Sequence, residues 1–363
     1  MQISKSPNGL WNWGFSMREL EIGRNEAGQK LKKYCFTYFH GIPQSFTYKM
    51  LRKKNILLNE KKASGEELLE EGDKIQLYFA EETLEELRKE SEPKKALPKL
   101  SDYPWLSEDR VLYEDDDWIL INKPVGVLTQ KATTKDRSVN DAVIAYMLEK
   151  KEITPEQLET FRPSVCNRLD RNTSGIVSAS KSKKGARELN ALYAEKDGRT
   201  TRKFYLAVVH GKCPLKGHYD RLNYVKSRNG NQAYVWLRGG RRPKDTLKYG
   251  DPDPIWTEFY PVDYNSEKDI SLMLCRLHTG KSHQIRVTMQ HYKYPVAGDP
   301  KYGDEKKNAK LDPNLKGQLL HAFQIKLPND VVVQAAVPEH ITKYFPKAEE
   351  KALAKIRSVT KGI

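Results

Sequence analysis

Asn167-Arg168-Leu169-Asp170-Arg171-Asn172-Thr173-Ser174-Gly175 is a polar turn that feeds straight into the apolar run Ile176-Val177-Ser178-Ala179-Ser180. A carboxylate set between two arginines at a strand entry has two physical readings. In one, Asp170 is a nucleophile or base held ionised by neighbouring cations. In the other, Asp170 and Thr173 only cap backbone groups of an ordinary turn. Spacing alone leaves both open. Outward from the turn, Gly175–Ser180 reads as a strand, Ser182–Glu195 as a helix with Ala186, Leu189, Leu192 and Tyr193 inward, and Phe204–Val209 as another strand. Upstream, Trp118–Asn122 is an apolar strand ending in Lys123-Pro124-Val125-Gly126. Ser138 and Asp141 then approximate a capping box for a helix whose Val139, Ala142, Val143, Tyr146 and Met147 share one face. Downstream, the Gly-, Arg- and Asp-rich stretch 211–254 reads as loops and a hairpin, Ile270–Leu277 as a strand and Lys281–His291 as a helix.

Nearer the N-terminus, Leu31, Tyr34, Cys35 and Tyr38 recur at helical spacing within Gly28–Phe39, and a second amphipathic stretch covers Ser45–Lys53. The runs Asn55–Asn59 and Lys74–Tyr78 follow as strands. A small module over residues 15–80 is therefore expected, then a charged linker over 81–104, where Glu, Lys and Pro leave few anchors for a core. A larger domain should occupy 105–347, with 348–363 as a C-terminal tail or frayed helix. A length of 363 residues suits a folded body plus one such module.

Composition narrows the partner. Lys and Arg number 63 against 48 Asp and Glu, a formal charge of +15. That excess favours a polyanion, nucleic acid ahead of an anionic membrane surface. Met1–Leu20 lacks a basic head followed by an apolar core, and no stretch approaches a membrane-spanning length, so a soluble cytoplasmic protein is expected. Cys35, Cys166, Cys213 and Cys275 lie far apart, which argues for reduced thiols and against a zinc site or disulfide framework. His278, His283 and His291 lack a carboxylate at the spacing of a zinc hydrolase, and no metal is expected. Gly23–Lys30 lacks the Gly-Lys pair of a phosphate loop. Lys49, Arg52, Lys53 and Lys54 could be a solvated helix face or, beside a strand in a basic chain, a nucleic-acid contact. Arg238–Lys244 is a weaker version of the same signal.

The turn at Asp170 resembles the motif of the RluA-type pseudouridine synthases, where an Arg-Leu-Asp run is followed by Thr-Ser-Gly. The resemblance begins at Tyr113-Glu114-Asp115-Asp116 and Asn122-Lys123-Pro124-Val125-Gly126 and continues at Arg202-Lys203-Phe204-Tyr205-Leu206-Ala207. It runs on through Leu277–Val287, which contains Gly280-Lys281-Ser282-His283-Gln284-Ile285-Arg286, and through Pro295–Gly303 to Leu320-His321-Ala322. Leu51-Arg52-Lys53, Ile56–Asn59 and Gly72-Asp73-Lys74-Ile75 resemble an S4 RNA-binding domain. Order and spacing hold over about nine tenths of the chain, far beyond a chance motif match.

The resemblance implies an α+β catalytic domain on a mixed, largely antiparallel sheet, preceded by a small S4-like α/β module. It implies an enzyme without cofactor that isomerises uridine to pseudouridine in structured RNA, with large-subunit ribosomal RNA expected and transfer RNA possible; the sequence is silent on oligomeric state, and a monomer is the default expectation. Asp170 becomes the nucleophile, Tyr205 the aromatic wall against the target base, and Arg286 the partner that keeps Asp170 ionised and oriented. Arg168 takes the position that fills the gap left by the flipped base. Arg171, Lys123, Lys281 and, in the module, Lys49, Arg52 and Lys53 are the other expected RNA contacts. The alternative is a noncatalytic RNA-binding ribosome-assembly factor that keeps the fold. Three positions depart from the usual pattern: Asn167 where histidine is frequent, Asn172 where an acid is common, and Lys281-Ser282 for Arg-Thr. They put in doubt which RNA target to infer, not the reaction.

Overall fold

Period-two burial and period-3.6 burial account for most of the elements. In a computed structural model, residues 16–39, 43–80, 83–84, 96–195, 200–227, 231–328 and 330–361 are described. Most of the expected linker, 81–104, lies outside them. The chain divides into two compact units, one formed by residues 1–100 with 144–163 and 182–184, the other by 101–143, 164–181 and 185–363.

In the first unit, β1 (Ser16–Glu21), α1 (Leu31–Tyr38), α2 (Gln44–Arg52), β2 (Ile56–Leu58), β3 (Lys61–Lys62) and β4 (Lys74–Phe79) follow one another, and the strands form an antiparallel sheet ordered β1-β4-β2-β3. The predicted helices form within a few residues of their expected bounds. Leu31, Tyr34, Cys35 and Tyr38 bury one face of α1, and Met50 and Leu51 of α2 join them with Ile56, Ile75 and Leu77 in a single core. The opposite side of α2 leaves Lys49, Arg52 and Lys53 exposed, the arrangement of an amphipathic helix whose apolar stripe faces inward.

The second unit is built on one large sheet. Along the chain after residue 100, with residues 144–149 and 183–184 belonging to the first unit, come β5 (Val111–Glu114), β6 (Trp118–Lys123), α3 (Val139–Glu149), β7 (Ser164–Val165), β8 (Ser174–Ser180), α4 (Lys183–Ala194), β9 (Arg202–His210), β10 (Gly217–Lys226), β11 (Ala233–Leu237), β12 (Asp253–Asn265) and β13 (Ile270–Leu277). Then follow α5 (Gln284–His291), α6 (Glu305–Leu311), β14 (Leu320–Lys326), β15 (Val332–Gln334), α7 (Glu339–Thr342) and α8 (Ala348–Thr360). The sheet order is β11-β10-β12-β13-β9-β14-β8-β6-β5, with β15 on β14 and β7 on β8. The β14–β8 pair is parallel and its neighbours are antiparallel, so the sheet is mixed and largely antiparallel. The stretch 211–254, expected as loops and one hairpin, supplies β10, β11 and the first residues of β12 to that sheet.

β13 shows why the centre is apolar on both sides. Every residue from Ile270 to Leu277 is buried, and the alternation sends Ile270, Leu272 and Leu274 to one cluster and Met273, Cys275 and Leu277 to another. The first cluster is closed by α8, whose Ala348, Ala352 and Ile356 stack at i, i+4 and i+8. The C-terminal stretch is therefore a packed helix and not a tail. Burying the Ile356 side chain alone contributes about 2 kcal/mol. The second cluster receives Ile285 and Met289 of α5, which fixes that helix against the sheet face carrying Tyr205. Among the described residues no helix is long and apolar enough to cross a membrane.

Candidate active site

The turn before β8 is held by its own polar residues. Leu169 is buried, and its N–H and C=O both meet the Thr129 hydroxyl, at 3.1 and 2.8 Å. The Thr173 N–H closes on the Asp170 carbonyl at 3.0 Å, and the Thr173 hydroxyl accepts from Gln318 Nε2 at 2.9 Å. Ser174 Oγ meets His321 Nδ1 at 2.9 Å. Gly175 has φ +105°, and a Cβ there would lie 2.1 Å from the Ala322 carbonyl oxygen, so the parallel β8–β14 contact needs glycine. Most of the motif is thus consumed in fixing a backbone, which leaves the Asp170 side chain, 27% exposed, to face outward from a rigid turn.

Arg286 meets it from α5. Its Nη1 donates to Asp170 Oδ2 at 2.6 Å, while Nε and Nη2 donate to the two oxygens of Asp299 at 2.6 and 2.8 Å. This is a planar guanidinium shared between two carboxylates, a fork that lysine could not supply. Burial would favour the neutral form of Arg286, but the charges and hydrogen bonds of Asp299 and Asp170 outweigh it and push its pKa up. Burial likewise works against ionised Asp299; Arg286 and the N–H groups of Tyr302 and Lys301 overcome it and hold the carboxyl below its ordinary range. Gln284 clamps the loop before the helix. Its Oε1 accepts from Thr279 Oγ1 and the Lys281 N–H, each at 3.0 Å, and its Nε2 donates to Thr257 Oγ1 at 2.9 Å.

Tyr205 lies on β9 opposite Cys275 and Ala322, half-buried, beside a narrow recess that Asn167, Tyr193, Lys203 and Gln324 also line. Burial, helped by the Asp170 charge, pushes the phenol up, so it is protonated at neutral pH. Asp170, Tyr205 and Arg286 are therefore brought to one face of the sheet.

The expected RNA contacts fare unequally. Arg168 is exposed. Arg171 is exposed too, but its Nε donates to the Gly126 carbonyl at 3.2 Å, tying the turn to the 124–127 loop. Lys281 pairs with Asp253 at 2.7 Å on the surface. Lys123 corrects the expectation: it is fully buried, and its Nζ donates to the carbonyls of Pro124, Val127 and Arg171 at 2.9, 2.9 and 3.1 Å. An ammonium with its three hydrogens already placed on backbone oxygens is a brace for the Asp170 turn, not a phosphate contact. Burial pushes its pKa down to about 7, with the Asp170 charge acting the other way. Asn167 also spends its amide on backbone, donating to the Ile176 carbonyl at 3.2 Å and accepting from the Ser178 N–H at 2.7 Å. Asn172 donates to the Lys316 carbonyl at 3.3 Å.

Sequence reasoning quoted Pro295–Gly303 and His283 without giving either a role, and both belong to the site. Asp299 backs Arg286, and the Tyr302 hydroxyl lies 2.8 Å from His283 Nδ1. An acid and a tyrosine three residues apart in a run that carries the family resemblance were the available signal.

Known proteins are similar to this chain over much of its length. Residues 117–291 match the model of the RNA pseudouridylate synthase family. Ribosomal large subunit pseudouridine synthase C of Escherichia coli O6:H1 is 29% identical over 314 residues, 86% of this chain and 88% of that one. The protein of the same name from Vibrio vulnificus is 26% identical over 345 residues, 93% of this chain and 96% of its own. A solved structure, Human RNA Pseudouridylate Synthase Domain Containing 1, aligns with 70% of this chain and 95% of its own at 18% identity and a TM-score of 0.49. The motifs of the Asp170 turn and of the loop leading to Arg286 fall inside the matched region, and the relatives extend the likeness over most of the chain: it is similar to RNA pseudouridylate synthases, as the resemblance of its motifs to the RluA type implies.

Proposed function

We propose that this pseudouridine synthase acts on uridine in large-subunit ribosomal RNA, in the cytoplasm and as a single chain, with Asp170 as its nucleophile. The observation that carries the residue assignment is the 2.6 Å bond from Arg286 to Asp170, made by a guanidinium itself anchored on Asp299. A carboxylate so held is aimed, and its second oxygen is not taken by the arginine. That oxygen attacks C1′ of the flipped nucleotide, and the C1′–N1 bond breaks to release the uracil anion. The base turns, C5 attacks C1′ and displaces Asp170, and the C5 proton is lost as N1 is protonated. Neutral Tyr205 holds the detached ring in the site, and exposed Arg168 fills the gap in the RNA stack. The choice of RNA rests on the relatives, which are named for the ribosomal large subunit. The first unit, with Lys49, Arg52 and Lys53 exposed on α2, serves as an S4-like RNA-binding module.

The test is pseudouridine mapping of ribosomal and transfer RNA from cells with the wild-type protein, none, or Asp170→Asn. A large-subunit site lost in both altered strains supports the reading. A site kept by Asp170→Asn removes Asp170 as nucleophile, and a lost site in transfer RNA moves the substrate there. Purified Asp170→Asn should still bind RNA, since phosphate contacts dominate affinity.

A further inference from the structure

His283 opens α5 with a left-handed backbone, φ 58° and ψ 16°. A non-glycine residue adopts that conformation at a cost and keeps it only where its surroundings impose it. Its ring is buried between two groups. Nδ1 lies 2.8 Å from the Tyr302 hydroxyl, and Nε2 lies 3.6 Å from Asp170 Oδ1, the oxygen that Arg286 does not take. Tyr302 bears on the tautomer. Its hydroxyl oxygen accepts the Ala233 N–H at 2.6 Å, which leaves its own hydrogen available to His283 Nδ1 at 2.8 Å. A neutral imidazole whose Nδ1 accepts carries its hydrogen on Nε2, the atom facing Asp170. Burial keeps the ring neutral, bringing its pKa down to about 4; Asp170 pulls the other way, and Arg286, Lys301 and Lys226 reinforce the burial.

We propose that His283 is a positioning residue for Asp170: Tyr302 fixes its tautomer, and its Nε2–H is aimed at Oδ1, the oxygen that attacks and later leaves C1′. This rests on Asp170 being the nucleophile. At 3.6 Å the contact is longer than a hydrogen bond, which leaves Oδ1 free to attack. When C5 displaces Asp170 from C1′, negative charge returns to Oδ1, and the N–H beside it closes on that charge without crossing the site. Arg286 and His283 thus divide the carboxylate, one gripping Oδ2 throughout and the other receiving Oδ1 as it departs. Asp299 and Tyr302, within one turn, back the two donors respectively.

The experiment compares His283→Asn, His283→Gln and Tyr302→Phe by single-turnover kinetics on the wild-type substrate RNA, with Asp170→Asn alongside. Asparagine tolerates the left-handed backbone but its amide stops near the Nδ1 position, whereas a glutamine amide reaches that of Nε2. His283→Asn should lose about 100-fold in kcat with little change in KM, the scale of a misplaced reacting group. His283→Gln should recover part of the loss, and Tyr302→Phe should show a smaller one. Nitrogen-15 NMR of histidine-labelled wild-type protein supplies a readout independent of turnover, with His283 expected as the Nε2–H tautomer at pH 7. Wild-type kcat in His283→Asn, or a His283 carrying its hydrogen on Nδ1, overturns the proposal. An active Asp170→Asn overturns the nucleophile assignment beneath it, whereas an inactive Asp170→Asn beside a fully active His283→Asn sinks only the role of His283.

Discussion

Replacing Asp299 by asparagine should cost both stability and turnover. The wild-type carboxylate accepts four N–H groups: Arg286 Nε at 2.6 Å and Nη2 at 2.8 Å, and the backbone N–H groups of Lys301 at 2.8 Å and Tyr302 at 3.0 Å. Asparagine offers one oxygen. If that oxygen keeps the backbone pair, its NH2 faces Arg286 Nε, donor against donor. One charge-assisted bond is lost, about 1.5–3 kcal/mol, and a buried guanidinium loses one of its two counter-charges. Removing one partner of a buried ion pair costs about 3–5 kcal/mol; with Asp170 still bound to Arg286 the lower end applies, about 3 kcal/mol. At about 2–4 °C per kcal/mol for a unit of this size, the melting temperature should fall by roughly 6–12 °C. Turnover should fall on the order of 100-fold, because a guanidinium free to tilt by about 1 Å no longer aims Asp170. Thermal unfolding and tritium release from RNA labelled at uridine C5 read the two effects. A variant within about 1 kcal/mol of wild type and equally active would refute the reasoning, since Asp299 would then not be what holds Arg286 in place.

Gly175→Ala places a Cβ 2.1 Å from the Ala322 carbonyl oxygen at φ +105°, against backbone that cannot step aside, and should destabilise by more than about 3 kcal/mol; chemical denaturation showing a loss below 1 kcal/mol would contradict the parallel contact. His321 is fully buried, and burial brings its pKa down to about 4. The folded-state value lies below the ordinary one of about 6.5, so between those values the unfolded chain binds the extra proton and stability falls as pH drops from 6.5 to 4. His321→Gln should flatten that slope by up to about 1.4 kcal/mol per pH unit, and denaturation curves of equal slope would rule the contribution out. Reversing Lys49, Arg52 and Lys53 to glutamate should weaken RNA binding and flatten its logarithmic salt dependence by about 2, at roughly 0.7–0.9 per lost phosphate contact; an unchanged slope removes α2 from the RNA interface.

What the sequence disclosed, and what it withheld, divides along the range of the interactions involved. The two helices of the first unit announce themselves by residues three and four apart, and the strands at Trp118, Gly175, Phe204 and Ile270 as short, largely apolar runs bounded by turns. α8 did not, since its buried stripe begins with Ala348 and Ala352, residues that carry little apolar signal until Phe345 and Ile341 are seen beside them. Lys123 misled for the opposite reason. A lysine closing a strand in a basic chain reads as a contact for phosphate, and only the convergence of three carbonyls, one of them 48 residues away, shows it turned inward.

The site itself shows why a motif should be read through burial before chemistry. Thr173, Ser174 and Gln284 are polar and lie in the segments that hold Asp170 and the residues touching it, yet each is buried and spends its hydrogen bonds on holding a turn or a loop. A buried polar group must find a partner, so most polar letters in such a run are committed to structure before a substrate arrives. Asp170 differs because the surroundings give one of its oxygens to Arg286 and leave the other facing His283 Nε2 at 3.6 Å, short of a bond. That asymmetry is carried by Arg286, Asp299, His283 and Tyr302, all more than 100 residues downstream. Nothing within the Arg-Leu-Asp turn could have revealed it: the turn specifies where the carboxylate stands, and a helix and loop from the far end of the chain specify which oxygen it can use.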